Sequence, residues 1–217
     1  MTLAAGLALV NFFAQADGQT TFVAGDLIVK FTATSEAGML VARAVRADPA
    51  VDRELAAFAT RLSRELGAAL TVARVTSGNE LVLSVNRDQV AQALGEAVKR
   101  DPAVRTVARV DPPETVLPAA QIALALDLRR DSDAGRLVRR AMRNGKQTSN
   151  EIEALVKRLC VGVDPQPSGR VSHRGQLVLS VDIAALTLDL VERLQRRPDV
   201  DYAQLSQVMK AYPGSNR

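Results

Sequence analysis

The pentapeptide LVLSV occurs twice in this chain, as residues 81–85 within GNELVLSVNRD and as residues 177–181 within RGQLVLSVDIA. A duplicated unit keeps the same spacing to its other landmarks, whereas a chance match in an aliphatic-rich sequence does not. We therefore compare the segments that flank the two pentapeptides.

The flanking segments repeat at the same distance. SEAGMLVARAVR from Ser35 aligns with SDAGRLVRRAMR from Ser132, and RDPAVRTVARV from Arg100 aligns with RRPDVDYAQLS from Arg196. The offset is about 96 residues, which is the size of a small domain rather than of a solenoid repeat. The sequence therefore predicts two copies of one domain.

Each copy shows the same order of strand and helix patterns. In copy one, apolar and polar residues alternate in DLIVKF, which predicts a strand, and an apolar stripe at helical spacing in VDRELAAFATRLSREL predicts a helix. A hairpin is predicted for LTVARV and LVLSV, a second helix for RDQVAQALGEAVKRD and a last strand for VRTVARV. A further short helix is predicted in each copy between the first strand and the long helix. The order βαββαβ predicts an α+β protein with two tandem ferredoxin-like domains, each a four-stranded antiparallel sheet with helices on one face.

The repeat and the composition set the predicted boundaries. Domain 1 covers residues 22–112, a Pro-rich linker covers 113–119, domain 2 covers 120–207 and an extended tail covers 208–217. Residues 1–16 are apolar, uncharged and end in Ala-Gln-Ala, which predicts a signal peptide and a secreted or periplasmic protein; a buried N-terminal helix is the alternative. This stretch is too short to span a bilayer, so no stable membrane insertion is expected.

Residue types with reactive side chains are sparse. The chain has one histidine, His173, in a turn-like SHRG segment, and one cysteine, Cys160, on the apolar side of a helix. No phosphate-binding loop, nucleophile elbow or paired metal-ligand spacing occurs. We therefore expect a binding protein and not an enzyme, with no cofactor and no metal.

A basic run, LRRDSDAGRLVRRAMRNGK at residues 128–146, raises a nucleic-acid hypothesis. Ferredoxin-like domains that bind RNA stack bases on aromatic residues of their central strands, and LVLSV has none in either copy. A solvated helix face is the preferred interpretation, and no nucleic-acid partner is expected.

Strand alternation predicts which residues face outward from each sheet. In copy two, a flat patch of small, mostly apolar side chains is expected to form a docking face: Ala123, Ala125, Val178, Ser180, Ala203 and Leu205. Such a patch is a liability on a monomer, so it would be covered by copy one or by a partner, a second protomer included. The corresponding face of copy one is expected to be more polar and basic: Ile28, Lys30, Val82, Ser84, Arg105, Val107 and Arg109.

Several of these segments resemble the propeptides of subtilisin-type serine proteases and the inhibitors that share their fold. The resemblance rests on AGDLIVKF as first strand, on the Pro-x-Val entry to the last strand in DPAVRTVARV and RPDVDYAQLS, and on the βαββαβ order in each copy. In that family the open face of the sheet docks on the protease, and the extended C-terminal tail lies in the substrate cleft.

The resemblance extends to the C-terminal tail. VMKAY is similar to the apolar-x-Ala-Tyr ending of those propeptides, which implies that Tyr212 enters the specificity pocket, preceded by Met209, Lys210 and Ala211. Pro213 follows, and a proline after the scissile position suits an inhibitor better than a substrate. The implied function is inhibition or chaperoning of a subtilisin-like protease through domain 2 and its tail; the alternative is a non-inhibitory structural or assembly module of the cell envelope.

Overall fold

Two four-stranded antiparallel sheets form the framework of the protein in the computed structural model, which describes residues 22–110, 121–144 and 148–207. The strands are β1 (Phe22–Phe31), β2 (Leu70–Val75), β3 (Leu81–Val85), β4 (Val104–Val110), β5 (Gln121–Leu128), β6 (Ser168–Val171), β7 (Leu177–Asp182) and β8 (Val200–Gln207). The helices are α1 (Glu36–Val45), α2 (Val51–Leu66), α3 (Arg87–Lys99), α4 (Asp133–Asn144), α5 (Ser149–Leu159) and α6 (Ile183–Gln195). The α+β class and the two four-stranded antiparallel sheets that the sequence predicts are confirmed.

Local capping residues begin and end several of these helices. Gly67 ends α2 in the left-handed conformation, with φ of 68°, as a C-terminal glycine does. Asn86 caps α3 by accepting a hydrogen bond from the backbone N–H of Gln89, and Asp182 caps α6 by accepting from the N–H groups of Ala184 and Ala185. Each LVLSV is the third strand of its copy, at β3 and β7.

The sheets do not coincide with the two sequence copies. The first sheet has the strand order β2-β3-β1-β8 and the second has β4-β5-β7-β6. Each sheet therefore takes three strands from one copy and its last strand from the other, whereas the sequence analysis places all four strands of a sheet within 22–112 or 120–207. We call this arrangement the strand exchange.

The helix before each exchanged strand moves with it. Helix α6 packs on β1 and β8 of the first sheet, and α3 packs on β4 and β5 of the second. Helices α1 and α2 stay with the first sheet, and α4 and α5 stay with the second. The exchanged unit is thus a helix and a strand, α3-β4 or α6-β8.

A buried hydrogen bond fits the exchanged arrangement and not the alternative. In β1 the backbone N–H of Gly25 donates to Thr187 Oγ1 of α6 at 2.9 Å, at a β-bulge where Gly25 has φ of 104°. The residue of α3 that corresponds to Thr187 is Ala91, which has no acceptor. Packing α3 in place of α6 would leave this N–H without that partner, and an unsatisfied buried donor costs about 1–3 kcal/mol.

Helix surfaces and charges also match the exchanged arrangement. The face of α3 toward the second sheet carries Gly95, where an added Cβ would be in ordinary contact with Leu124 at 3.9 Å, and the corresponding residue of α6 is the larger Val191. Before β8, Arg197 pairs with Glu65 of α2, and before β4, Asp101 lies 3.6 Å from Arg158 of α5. Returning each segment to its own copy would bring Arg197 to the helix of Arg158, which places like charges together.

The cores are mainly aliphatic. Ten of the twelve largest fully buried side chains are leucines: Leu27, Leu62, Leu81, Leu83, Leu94, Leu126, Leu177, Leu179, Leu190 and Leu194. Burial of one such side chain stabilises the fold by roughly 1.5–3 kcal/mol. The face of each sheet away from the helices is called its outer face below.

Candidate functional site

Strand β8 determines where the two parts of the predicted site lie. It pairs with β1 and forms one edge of the first sheet, and it ends at Gln207, directly before the predicted tail. The predicted cleft residues Met209, Lys210, Ala211, Tyr212 and Pro213 lie outside the described residues. The tail therefore follows the first sheet, whereas the sequence analysis attaches it to the sheet of domain 2.

Four of the six predicted docking residues share the outer face of the second sheet. Ala123 pairs with Ser180 and Ala125 pairs with Val178 across β5 and β7. Ala125 and Val178 are only 4% and 5% exposed. Ala123 and Ser180 are half-buried.

The exchanged strand β4 adds to this face. Ala108 pairs with Ala125, and Val110 pairs with Ala123. Ala108 is exposed and Val110 is half-buried. Neither residue is predicted for this face from sequence, because the duplication places β4 in the sheet of copy one.

Ala203 and Leu205 do not belong to this face, so the prediction for these two residues is wrong. They lie in the first sheet, where Ala203 pairs with Val29 and Leu205 pairs with Leu27. Residues paired across antiparallel strands point to the same face, and Val29 and Leu27 are fully buried against the helices. Ala203 is accordingly 2% exposed and Leu205 packs against the core.

The outer face of the first sheet is polar and more accessible. Ile28, Lys30, Val82 and Ser84 lie on it as expected, together with Asp26, Tyr202 and Gln204. Arg105, Val107 and Arg109, which the sequence analysis assigns to this face, belong to β4 in the second sheet. Apart from the buried Val82, these side chains are half-buried or exposed.

A hydrogen-bond network crosses this outer face from β8 to the turn before β3. The hydroxyl of Tyr202 donates to Glu80 Oε1, and the hydroxyl of Thr76 donates to Glu80 Oε2 at 2.7 Å. Ser84 Oγ donates to Asp26 Oδ1 at 2.6 Å on the same face. The strand exchange builds the first network, because Tyr202 comes from copy two and Glu80 from copy one.

The network shifts the pKa values of its members in opposite directions. The hydrogen bond from Tyr202, then that from Thr76, lowers the pKa of Glu80, and the charges of Lys30 and Arg74 lower it further. The carboxylate of Glu80 in turn raises the pKa of Tyr202. At neutral pH the pair is therefore a phenol hydrogen-bonded to a carboxylate.

We expect the Tyr202–Glu80 hydrogen bond to make stability depend on pH in the acid range. Because the pKa of Glu80 is lowered in the folded protein, its contribution is present above the unfolded-state pKa of about 4.3 and is lost as the pH falls through the folded value. Tyr202→Phe should therefore lower the free energy of unfolding at pH 7 by about 1 kcal/mol at most, with a smaller effect at pH 3. Urea denaturation at the two pH values measures this difference, and an equal loss at both would contradict it.

The residues with reactive side chains do not converge. His173 is exposed in the turn between β6 and β7, and Cys160 is fully buried in the core, where burial raises the pKa of its thiol to about 11. In the described ranges no three His, Cys, Asp or Glu residues are grouped as a metal site would require. No helix in those ranges combines the length and apolarity that crossing a membrane requires.

Comparison with protein-family models, curated proteins and solved structures finds no match to this chain. The two outer faces, and the end of β8 directly before the tail, are the parts of the fold that bear on function.

Proposed function

We propose that this protein binds a subtilisin-like serine protease through the outer face of its first sheet, with residues 208–217 entering the substrate cleft. The observation that carries the proposal is the pairing of β8 with β1, because the strand that directly precedes the tail thereby belongs to the first sheet. In the propeptides that this chain resembles, the docking face and the tail belong to one sheet. The proposal thus moves the docking face from the second sheet to the first.

The side chains of the two outer faces support this choice. Lys30, Ser84 and Tyr202 are half-buried and Gln204 is exposed, so polar groups on the first sheet are accessible to a partner. On the second sheet the central Ala125 and Val178 are buried already. Interfaces that form between separately folded proteins combine polar contacts with a smaller apolar centre, which Ile28 would supply.

We also infer that each sheet with its helices is a ferredoxin-like unit. With β8 counted as the fourth strand of the first sheet, the order β2-β3-β1-β8 is the 2-3-1-4 order of that fold, and β4 takes the same place beside β5. Both units are then complete only through the strand exchange. Fold alone does not give function, so the protease partner rests on the resemblance and on the position of β8.

Inhibition of a panel of subtilisin-type proteases tests the proposal. The full chain is expected to inhibit at least one protease, and a chain ending at Gln207 should lose about a hundredfold or more in affinity, because the cleft contacts are removed. Lys30→Glu with Gln204→Glu should weaken inhibition about tenfold through the docking face.

The matched control places two charges on the other outer face, with Ala123→Glu and Ser180→Glu. It should leave inhibition within about twofold of the original chain. If only the control lost inhibition, the docking face would be assigned to the second sheet instead. A chain that inhibits no protease of the panel would refute the protease partner.

The second candidate is a non-inhibitory structural or assembly module that uses the outer face of the second sheet. The strand exchange favours it, because β4 extends the small-residue patch with Ala108 and Val110. Ala108→Asp should then change the oligomeric state measured by light scattering and leave protease activity untouched. An unchanged oligomeric state would remove this candidate.

A further inference from the structure

Five arginines line one pocket at the end of the second sheet, where β4 begins and β5 ends. The pocket has a volume of about 640 Å³ and lies beside α4. Its arginines come from four places in the chain, namely β4, the β5–α4 turn, α4 and the β6–β7 turn: Arg105, Arg129, Arg130, Arg139 and Arg174. We call it the arginine pocket.

Within the described part of the chain, none of these five guanidinium groups forms an ion pair. Arg139 donates one hydrogen bond, to the backbone carbonyl of Arg130 at 2.6 Å. By contrast, Arg43, Arg193 and Arg197 each contact two carboxylates. The arginine pocket therefore gathers positive charge that its own surroundings leave uncompensated.

One carboxylate lines the pocket, and it has other partners. Asp127 accepts hydrogen bonds from Thr106 Oγ1 at 3.0 Å and from Gln176 Nε2 at 3.1 Å. Four of the five arginines are exposed, so water and salt screen part of their mutual repulsion, and an anion bound between them would lower it further. The pocket is thus organised to receive negative charge.

The sequence repeat provides an internal comparison. At the corresponding end of the first sheet, the residues that replace the five arginines carry no positive charge: Asp201, Thr32, Ala33, Ala42 and Gly78. The same capping geometry surrounds both places, because Ser35 and Ser132 each donate to the carbonyl three residues earlier. The fold therefore forms this end of a sheet without arginines, so folding alone does not explain them.

The strand exchange completes the set. Arg105 belongs to copy one by sequence and reaches the arginines of copy two because β4 pairs with β5. The basic run at residues 128–146, which we interpret from sequence as a solvated helix face, supplies three of the five arginines. Its charge is thus combined with residues that lie far from it in sequence.

We propose that the arginine pocket binds a compact group of two or more linked phosphates. A guanidinium group donates two parallel hydrogen bonds to phosphate oxygens, so several arginines around a small pocket match several phosphates. No aromatic side chain lines the pocket, so it lacks the aromatic platforms on which single-stranded nucleic acids stack their bases. The volume suits a small ligand, and the proposal is independent of protease binding.

Isothermal titration of the full chain with inorganic tripolyphosphate, at physiological ionic strength, tests the proposal. We expect one site with a micromolar Kd. Arg129→Thr with Arg130→Ala should weaken binding at least about tenfold, since two phosphate contacts are lost. These substitutions introduce the residues that copy one carries at the same places, so the fold should be retained, which circular dichroism checks.

The matched control removes the same charge elsewhere, with Arg46→Ala and Arg53→Ala. Both residues are exposed and, among the described residues, neither forms an ion pair. Unchanged affinity in the control supports a built site. Equal loss in both double variants, or a titration without saturation, would overturn the proposal, because binding would then follow net charge alone.

Two further titrations identify the source of the phosphates. Binding to vesicles with multiply phosphorylated headgroups, displaced by tripolyphosphate, would assign the group to a lipid, and its absence would assign it to a soluble compound. Single-stranded RNA is titrated in the same way. The proposal would be overturned in favour of nucleic-acid binding if RNA bound more tightly than tripolyphosphate and bound the Arg129→Thr, Arg130→Ala variant equally well.

Discussion

We expect a disulfide to form in nearly every molecule of the variant with Ala108→Cys and Ala125→Cys. The variant also carries Cys160→Ala, which removes the native thiol. The two alanines are direct partners across β4 and β5. Cα atoms of such partners lie about 4.5–5.5 Å apart, which is within the range that a disulfide spans. Mass spectrometry of the oxidised protein after proteolysis measures the cross-link.

The matched control is the pair Ala108→Cys and Ile28→Cys. If each copy formed its own sheet, β4 would take the place of β8 beside β1, where Gln204 now pairs with Ile28. This control should therefore give no intramolecular disulfide. A cross-link in the control and none in the first pair would show that the strands are not exchanged.

Gly38→Ala and Gly135→Ala are each expected to lower the free energy of unfolding by about 3 kcal/mol. A Cβ on Gly38 would lie 2.1 Å from the carbonyl oxygen of Thr32, and a Cβ on Gly135 would lie 2.1 Å from that of Arg129. These contacts are with backbone, so relief requires α1 or α4 to move away from the turn that precedes it. Chemical denaturation of the two variants measures the effect.

Gly78→Ala is the control for these substitutions. Its Cβ would meet no heavy atom closer than 3.6 Å, and Gly78 does not have a positive φ. The free energy of unfolding should change by no more than about 0.5 kcal/mol. If Gly38→Ala were as mild as this control, the close approach of α1 to Thr32 would be wrong.

The strand exchange has a consequence for any function of this chain. The first sheet takes one edge strand and one covering helix from copy two, and the second sheet takes the same from copy one. Neither copy can then be removed without exposing the apolar face of the other. We therefore expect the two outer faces and the arginine pocket to form together when the chain folds and to be lost together when it unfolds.

The pair of polar networks on the two sheets shows how the duplication diverged. Tyr202 reaches across Lys30 to Glu80 on the first sheet, and Thr106, Asp127 and Gln176 occupy the corresponding positions on the second. The same register thus holds a phenol–carboxylate pair in one place and a carboxylate between two neutral groups in the other. Divergence at such positions is how one duplicated fold can present two different surfaces.

The elements of this protein could be predicted from sequence because their signals are local. Strands β2, β3 and β4 lie at the residues where the strand patterns of copy one place them, and α2 runs from Val51 to Leu66 as its apolar stripe indicates. The repeat of about 96 residues likewise predicts that both copies contain the same elements in the same order. Four of the six predicted docking residues share one outer face for the same reason.

The remaining two, Ala203 and Leu205, could not be assigned correctly without the pairing of β8. Alternation tells which residues of a strand share a face, but not which of the two faces meets the helices. Their burial follows from pairing with Val29 and Leu27. The arginine pocket was missed because Arg105 and Arg174 come close to the basic run only in the folded chain.

The duplication and the strands and helices of each copy follow from the amino-acid sequence alone. Which copy completes which sheet depends on tertiary contacts. The reason is that the two copies have nearly the same apolar pattern, so β4 and β8 each fit beside β1 or β5 in that respect. Long-range contacts distinguish the two arrangements: Thr187 accepting from Gly25, and Arg197 and Asp101 facing opposite charges. These contacts join residues far apart in sequence, where no local pattern can indicate them.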